Sequence, residues 1–125
     1  GRAADKLAKD LPGVNWMEFD ECRFEELENP ERVHVDSFGN VQVCQGISIG
    51  NMREKPLSEI VRDYDAKTHP VIKYILTGGP AQLAEHYQIK HNEQYLDACH
   101  LCYETRKQLI GRFPEYLVPK QVYGM

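Results

Sequence analysis

The chain has 125 residues, 42% hydrophobic and 27% charged, the size and balance of one globular domain that buries its own core and leaves no room for a second. A formal net charge of -4, with no lysine or arginine cluster interleaved with aromatics, argues against a nucleic-acid partner. Apolar runs of a few residues fall far short of the roughly 20 needed to cross a bilayer, and "GRAADKLAKD" has no apolar signal core, so a cytoplasmic chain with reduced thiols and no membrane partner is expected.

The chain opens on Gly1, and residues 1–15 read as the end of a preceding domain or a linker helix, with 16–125 as the domain proper. Ala3, Ala4, Leu7, Ala8 and Leu11 recur at helical spacing until Pro12-Gly13 stops them. Trp16, in the aromatic stretch "VNWMEFDECRF", is expected in the core. "VHVDSFGNVQVC" alternates on both sides of Gly39-Asn40, Val33 and Val35 before and Val41 and Val43 after, which predicts a hairpin ending at Cys44. "QGISIGN" then reads as glycine-rich chain able to fold closely around whatever Cys44 holds.

The second half predicts short helices. Pro56 opens one with Leu57, Ile60, Val61 and Tyr64 on a stripe. Pro70 opens another, with Ile72, Ile75 and Leu76, closed by Gly78-Gly79, and Pro80 begins a third with Leu83, Ala84 and Tyr87. A fourth, capped at Asp97 or an earlier polar residue, carries Cys99, Leu101, Cys102, Leu109 and Ile110 up to Pro114. The tail "EYLVPKQVYGM" reads as extended chain lying on the body. The fold class expected is small α+β, a β-hairpin and several short helices around a four-cysteine site.

The cysteines are Cys22, Cys44, Cys99 and Cys102. Residues three apart on a helix share a face, so Cys99 and Cys102 can aim at one centre. Cys44 at a hairpin end and Cys22 in an apolar stretch bring the count to four thiolates, the ligand set of a structural zinc site or an iron-sulfur cluster. A redox or disulfide pair, or four inert thiols, are the competing readings. A thioredoxin-type pair, however, sits at a helix start after a strand, whereas this one lies inside a helical pattern.

Read together, an upstream Cys22, "FGNVQVCQGISIGN" with Gly39 and Cys44 in a G-x4-C spacing, "PLSEIV" and a distant "CHLC" resemble the auxiliary-cluster domains, SPASM and twitch, at the C-terminus of radical SAM enzymes. The resemblance covers roughly residues 20 to 103 and makes "GRAA" similar to the end of the preceding barrel. The gap from Cys22 to Gly39 is slightly longer than that family's usual range. Since no cysteine follows Cys102, one cluster at most fits, which makes the likeness twitch-like. The resemblance implies a 4Fe-4S cluster held by Cys22, Cys44, Cys99 and Cys102, serving electron transfer or substrate handling for a radical SAM barrel of the same full-length chain. Its substrate would be a peptide, a protein or a small molecule. The C-x3-C-x2-C signature is absent here, so S-adenosylmethionine would bind only in that barrel, and the fragment alone is not expected to be a radical SAM enzyme. The alternative is a structural zinc module for domain or protein interaction, and protein made in air is expected to carry zinc or nothing.

Other residues invite chemistry less strongly. His100 points about 100° away from its cysteine neighbours on a helix. His34 reads as an exposed strand residue, and His69, His86 and His91 as surface. The acids around Cys22 read as a solvated face, because no oxygen-ligand spacing is present. "TGGP" reads as a helix-to-helix turn. Arg106 and Lys107, one turn past Cys102, read as exposed charges by default, although cations there would raise the potential of an anionic cluster.

Overall fold

The computed structural model describes residues 13–22 and 26–125, so the helix expected over residues 3–11 lies outside the described residues. The valine alternation does form a hairpin. Strand β2 (His34–Val35) pairs antiparallel with β3 (Asn40–Cys44), His34 opposite Gln42 and Val35 opposite Val41. Gly39 takes the positive φ of 87° that lets the turn close. Asp36 then locks it, its carboxylate accepting hydrogen bonds from the Phe38 and Asn40 amides at 2.8 and 3.0 Å and from the Asn40 and Gln42 side chains, both at 3.0 Å.

"QGISIGN" is not only a close-fitting loop. It supplies a third strand, β4 (Ile47–Asn51), antiparallel to β3 across the tight Gln45-Gly46 turn, so the sheet runs β2-β3-β4. Ile47 and Ser48 are buried, and burying them on a sheet satisfies a backbone that a loop would leave unpaired. The register slips between Val41 and Gln42 and between Gln42 and Cys44, bulges of the kind that bend a strand and re-aim its end. Here that end is Cys44.

Helix α1 (Leu57–Asp63) follows Pro56, its N-cap. Ile60 faces the core, but Val61 is exposed, so the apolar stripe is narrower than the sequence suggests. The two helices expected on either side of Gly78-Gly79 run as α2 (Ile72–His86), with non-helical backbone at both glycines. Leu76, expected on its buried stripe, is exposed. A two-residue pairing joins β1 (Val14–Asn15) to β5 (Gln94–Tyr95), and α3 (Ala98–Leu109) follows, capped by Asp97, whose carboxylate accepts from the His100 amide at 2.8 Å. The architecture of the described residues is thus α+β, with three helices and two small antiparallel sheets.

The main core lies where α2, α3 and the hairpin meet, around Val43, Ile47, Ile72, Leu83, Leu109 and Leu117. A smaller one joins Ala81, Tyr95 and Leu101, with Trp16 and Phe19 packed on it, so Trp16 is half-buried at its edge rather than central. The tail does not stay extended: Lys120–Tyr123 winds into a 3-10 turn that buries Tyr123 completely.

His69 is also corrected, being only 5% exposed. It bridges the halves of the fold: Nε2 donates to the Ser48 carbonyl at 2.9 Å, and Nδ1 accepts from the Val71 and Ile72 amides at 3.1 and 3.2 Å. Those amides open α2 and would otherwise be orphaned. Among the described residues, no helix is long and apolar enough to cross a membrane.

Candidate functional site, a cavity lined by four cysteines

Cys44 stands at the end of β3, and Cys99 and Cys102 occupy successive turns of α3, whose start is fixed by the Asp97 cap. Cys22 is set by a backbone approach. The Phe19 carbonyl accepts from the Ala81 amide at 3.0 Å, and Gly79, at φ 66°, lies so near this segment that a Cβ there would stand 2.2 Å from the Glu21 nitrogen. Only glycine permits both the conformation and the approach. The "TGGP" turn therefore seats the segment that ends in Cys22.

All four cysteines line one cavity of about 330 Å³, with Pro80 and Val122 among its apolar walls and Tyr103 and Arg106 on its polar side. None is in a disulfide; Cys102 is buried, Cys22 and Cys44 are half-buried and Cys99 is exposed. Among the described residues, no group of three or more histidine, cysteine, aspartate or glutamate side chains is gathered closely enough to hold a single metal ion. A tetrahedral zinc site needs sulfurs about 2.3 Å from the ion, hence about 4 Å from one another. The four-cysteine metal site expected from the sequence is therefore not formed here, and what the four residues share is the lining of the cavity. On the far side of Cys44 and Gln45 opens a second, wider cleft of about 570 Å³, lined also by Arg32, His34 and Gln42.

Arg106 overturns the expectation of an exposed charge. It is 6% exposed, and its Nη1 donates to the Gln45 carbonyl at 2.7 Å and to Tyr123 Oη at 3.0 Å, while Nε donates to the Cys102 carbonyl at 3.3 Å. Tyr123 Oη in turn donates a hydrogen bond to the Gly46 carbonyl at 2.7 Å. Gly46 admits the ring because it has no side chain: a Cβ there would stand 2.6 Å from Tyr123 Oη. Among the described residues, no carboxylate pairs with Arg106. A buried cation is costly without an opposite charge.

No family model, no curated protein and no solved structure matches this chain. The reading of the cavity therefore rests on its own chemistry.

Burial pushes the Cys102 thiol up, with the Cys22 charge adding to it and Arg106 opposing it. Cys99 is raised by burial first and then by Asp97, Cys102 and Cys22. Burial pulls Arg106 down, but Cys102, Tyr123 and Cys44 together hold it above its ordinary value. Burial also pushes the Tyr123 hydroxyl up to about 12, against the pull of Arg106. Cys99 and Cys102 thus resist carrying a negative charge on their own, and Arg106 opposes that resistance at both.

Tyr103 adds a second unfilled demand. It lines the cavity, and its buried hydroxyl has no hydrogen-bond partner among the described residues. An unsatisfied buried hydroxyl costs about 1–3 kcal/mol. Sequence reasoning passed over Tyr123, because a tyrosine in a tail carries no spacing signal, and over Tyr103, although it stands four residues past Cys99 on the same helix. Arg106 had such a signal too, four residues past Cys102 and so on the same helix face. His100 is buried against Tyr95, and Leu96 donates its amide to His100 Nδ1 at 3.5 Å; it is not among the residues lining the cavity.

Proposed function

We propose that this chain is an auxiliary-cluster module in which Cys22, Cys44, Cys99 and Cys102 hold a 4Fe-4S cluster beside a radical SAM barrel of the same full-length protein. The observation that carries the reading is the convergence of four cysteines, from a loop, a strand end and two turns of a helix, on one cavity beside a buried arginine that pairs with no carboxylate among the described residues. The donor set fits in its chemistry: sulfur ligands suit cluster iron, all four cysteines line the same cavity, and Arg106 would offset negative charge there. When bound, the cluster supplies a one-electron redox centre, and with a cysteine on each iron it has no open position for substrate.

The chain's own part is to hold that centre and limit its exposure. Cys102 would hold it from a buried position, Pro80 and Val122 would give it apolar walls, and Arg106 would set a fixed positive charge in the same cavity. Cys99 is exposed, and Cys44 is shared with the open cleft on the hairpin. Both give an electron a short route between the cavity and a molecule docked outside, which favours electron transfer over a purely structural role.

The test is iron and acid-labile sulfide content, with the visible spectrum, of protein purified and reconstituted without oxygen. About four of each per chain is expected. One zinc and no sulfide, even after reconstitution, would replace this reading with the structural zinc module.

A further inference from the structure

We propose that Arg106 and Tyr103 are positioning residues that raise the reduction potential of the group held by the four cysteines, Arg106 by its charge and Tyr103 by donating a hydrogen bond to a sulfur of that group. The proposal rests on the reading above.

Among the described residues, Arg106 is anchored by the Gln45 and Cys102 carbonyls and the Tyr123 hydroxyl, all neutral acceptors. Its charge is consequently not cancelled by a carboxylate among the described residues, and it lines the same cavity as the thiols. Its geometry is fixed twice over, since Tyr123 is itself tied to Gly46 and the guanidinium lies 5.6 Å over the Tyr123 ring. Tyr103 stacks on that same ring, centroids 5.7 Å apart and planes 20° apart, and it is 4% exposed. Two buried side-chain polar atoms lack a partner among the described residues, Tyr103 Oη and Thr105 Oγ1, and only Tyr103 belongs to the cavity wall. Its hydroxyl can donate, and a thiolate or cluster sulfur accepts.

Adding an electron makes a four-thiolate cluster more negative. A fixed cation and a donated hydrogen bond both stabilise that reduced state over the oxidised one, which raises the potential. No bond is made or broken in the chain, and both side chains keep their protons throughout.

The experiment is an anaerobic redox titration of the reconstituted chain, followed by electron paramagnetic resonance, for the wild type, Arg106→Met, Arg106→Lys and Tyr103→Phe, with iron and sulfide measured on each sample. Arg106→Met is expected to shift the oxidised-to-reduced ratio at fixed potential about tenfold toward oxidised, about 59 mV downward for a one-electron couple. Arg106→Lys should recover most of that loss, and Tyr103→Phe should lower the potential by a smaller step at unchanged cluster content. If Arg106→Met does not fold, Tyr103→Phe, which removes a single oxygen, carries the test. Loaded variants with the wild-type potential would overturn the proposal while leaving the cluster in place. A wild type that takes up no iron and sulfide would overturn the functional reading itself, and this proposal with it.

Discussion

At the tip of the hairpin, the Asp36 carboxylate accepts four hydrogen bonds, and buried Gln42 both donates to it and accepts from the Gly46 amide at 2.7 Å. Two residues further along the same strand, at Cys44, the pattern reverses. Around the cysteine cavity, among the described residues, a buried arginine has no carboxylate and a buried tyrosine hydroxyl has no partner, and four cysteines line one space. Buried polar groups are almost always satisfied, so the difference between these neighbouring regions carries meaning. The hairpin satisfies its polar groups from within, whereas the cavity wall carries a charge and a hydroxyl that the occupant proposed above would meet.

The largest effect that would break this comparison is loss of that occupant. Cys44→Ser with Cys102→Ser should reduce bound iron and sulfide from about four per chain to near none. Stripping metal from the wild type should destabilise it, as it does domains built on structural zinc, where the metal contributes on the order of 10 kcal/mol to folding. Hydrogen exchange should then report the contrast directly. Amides of α3 should lose protection, while those of β3 and β4 should keep theirs longer. Equal loss in both regions would show that the hairpin depends on the cavity after all.

Next in size is Gly79→Ala. The positive φ and the 2.2 Å approach to the Glu21 nitrogen together predict a loss of about 3 kcal/mol in urea unfolding, and displacement of residues 19–22 should weaken cluster retention as well. Tyr123→Phe should cost less, about 1–3 kcal/mol, by removing the acceptor of Arg106 and the donor to Gly46. It acts on the cavity side alone, so the thermal protection of the Asp36 turn should be unchanged.

These contrasts also explain what could be read in the sequence. The hairpin was legible because valine alternation and the Gly39-Asn40 turn are local signals, and the helices were legible because proline, glycine and Asp97 mark their ends. The kink at Gly78-Gly79 was visible as a turn between helices, but its use in seating residues 19–22 was not, since that contact spans some sixty residues of chain. The cysteines could be counted but not placed. Spacing joins Cys99 to Cys102, whereas only the packing of α2, α3 and the hairpin brings Cys22 and Cys44 to the same cavity. Burial of charge was the least legible feature. Arg106 and His69 have the composition of surface residues, and both are buried because acceptors distant in sequence, Gln45 and Tyr123 for one and Ser48 for the other, are delivered by tertiary structure.

The smallest expected effect sharpens the comparison from the hairpin side, through His69. Burial holds its pKa below the ordinary 6.5, with the Ser48 carbonyl opposing that shift. The geometry agrees, because Nδ1 already accepts from the Val71 and Ile72 amides, and a proton there would face two N–H groups. In the unfolded chain the same histidine takes up a proton at about 6.5. Below that pH the unfolded state binds more protons than the folded one, so stability rises with pH in this window. The contribution of His69 is therefore fully present above about pH 6.5 and is lost as pH falls from there through the depressed folded value. His69→Asn keeps an acceptor for the helix-opening amides, in the manner of a capping side chain, but does not titrate. Urea unfolding of both proteins between about pH 5 and 8 should show the wild type losing stability relative to the variant only on the acid side. A difference that did not vary with pH would mean that His69 is not held neutral, and that the polar groups on this side of the fold are less completely satisfied than their geometry indicates.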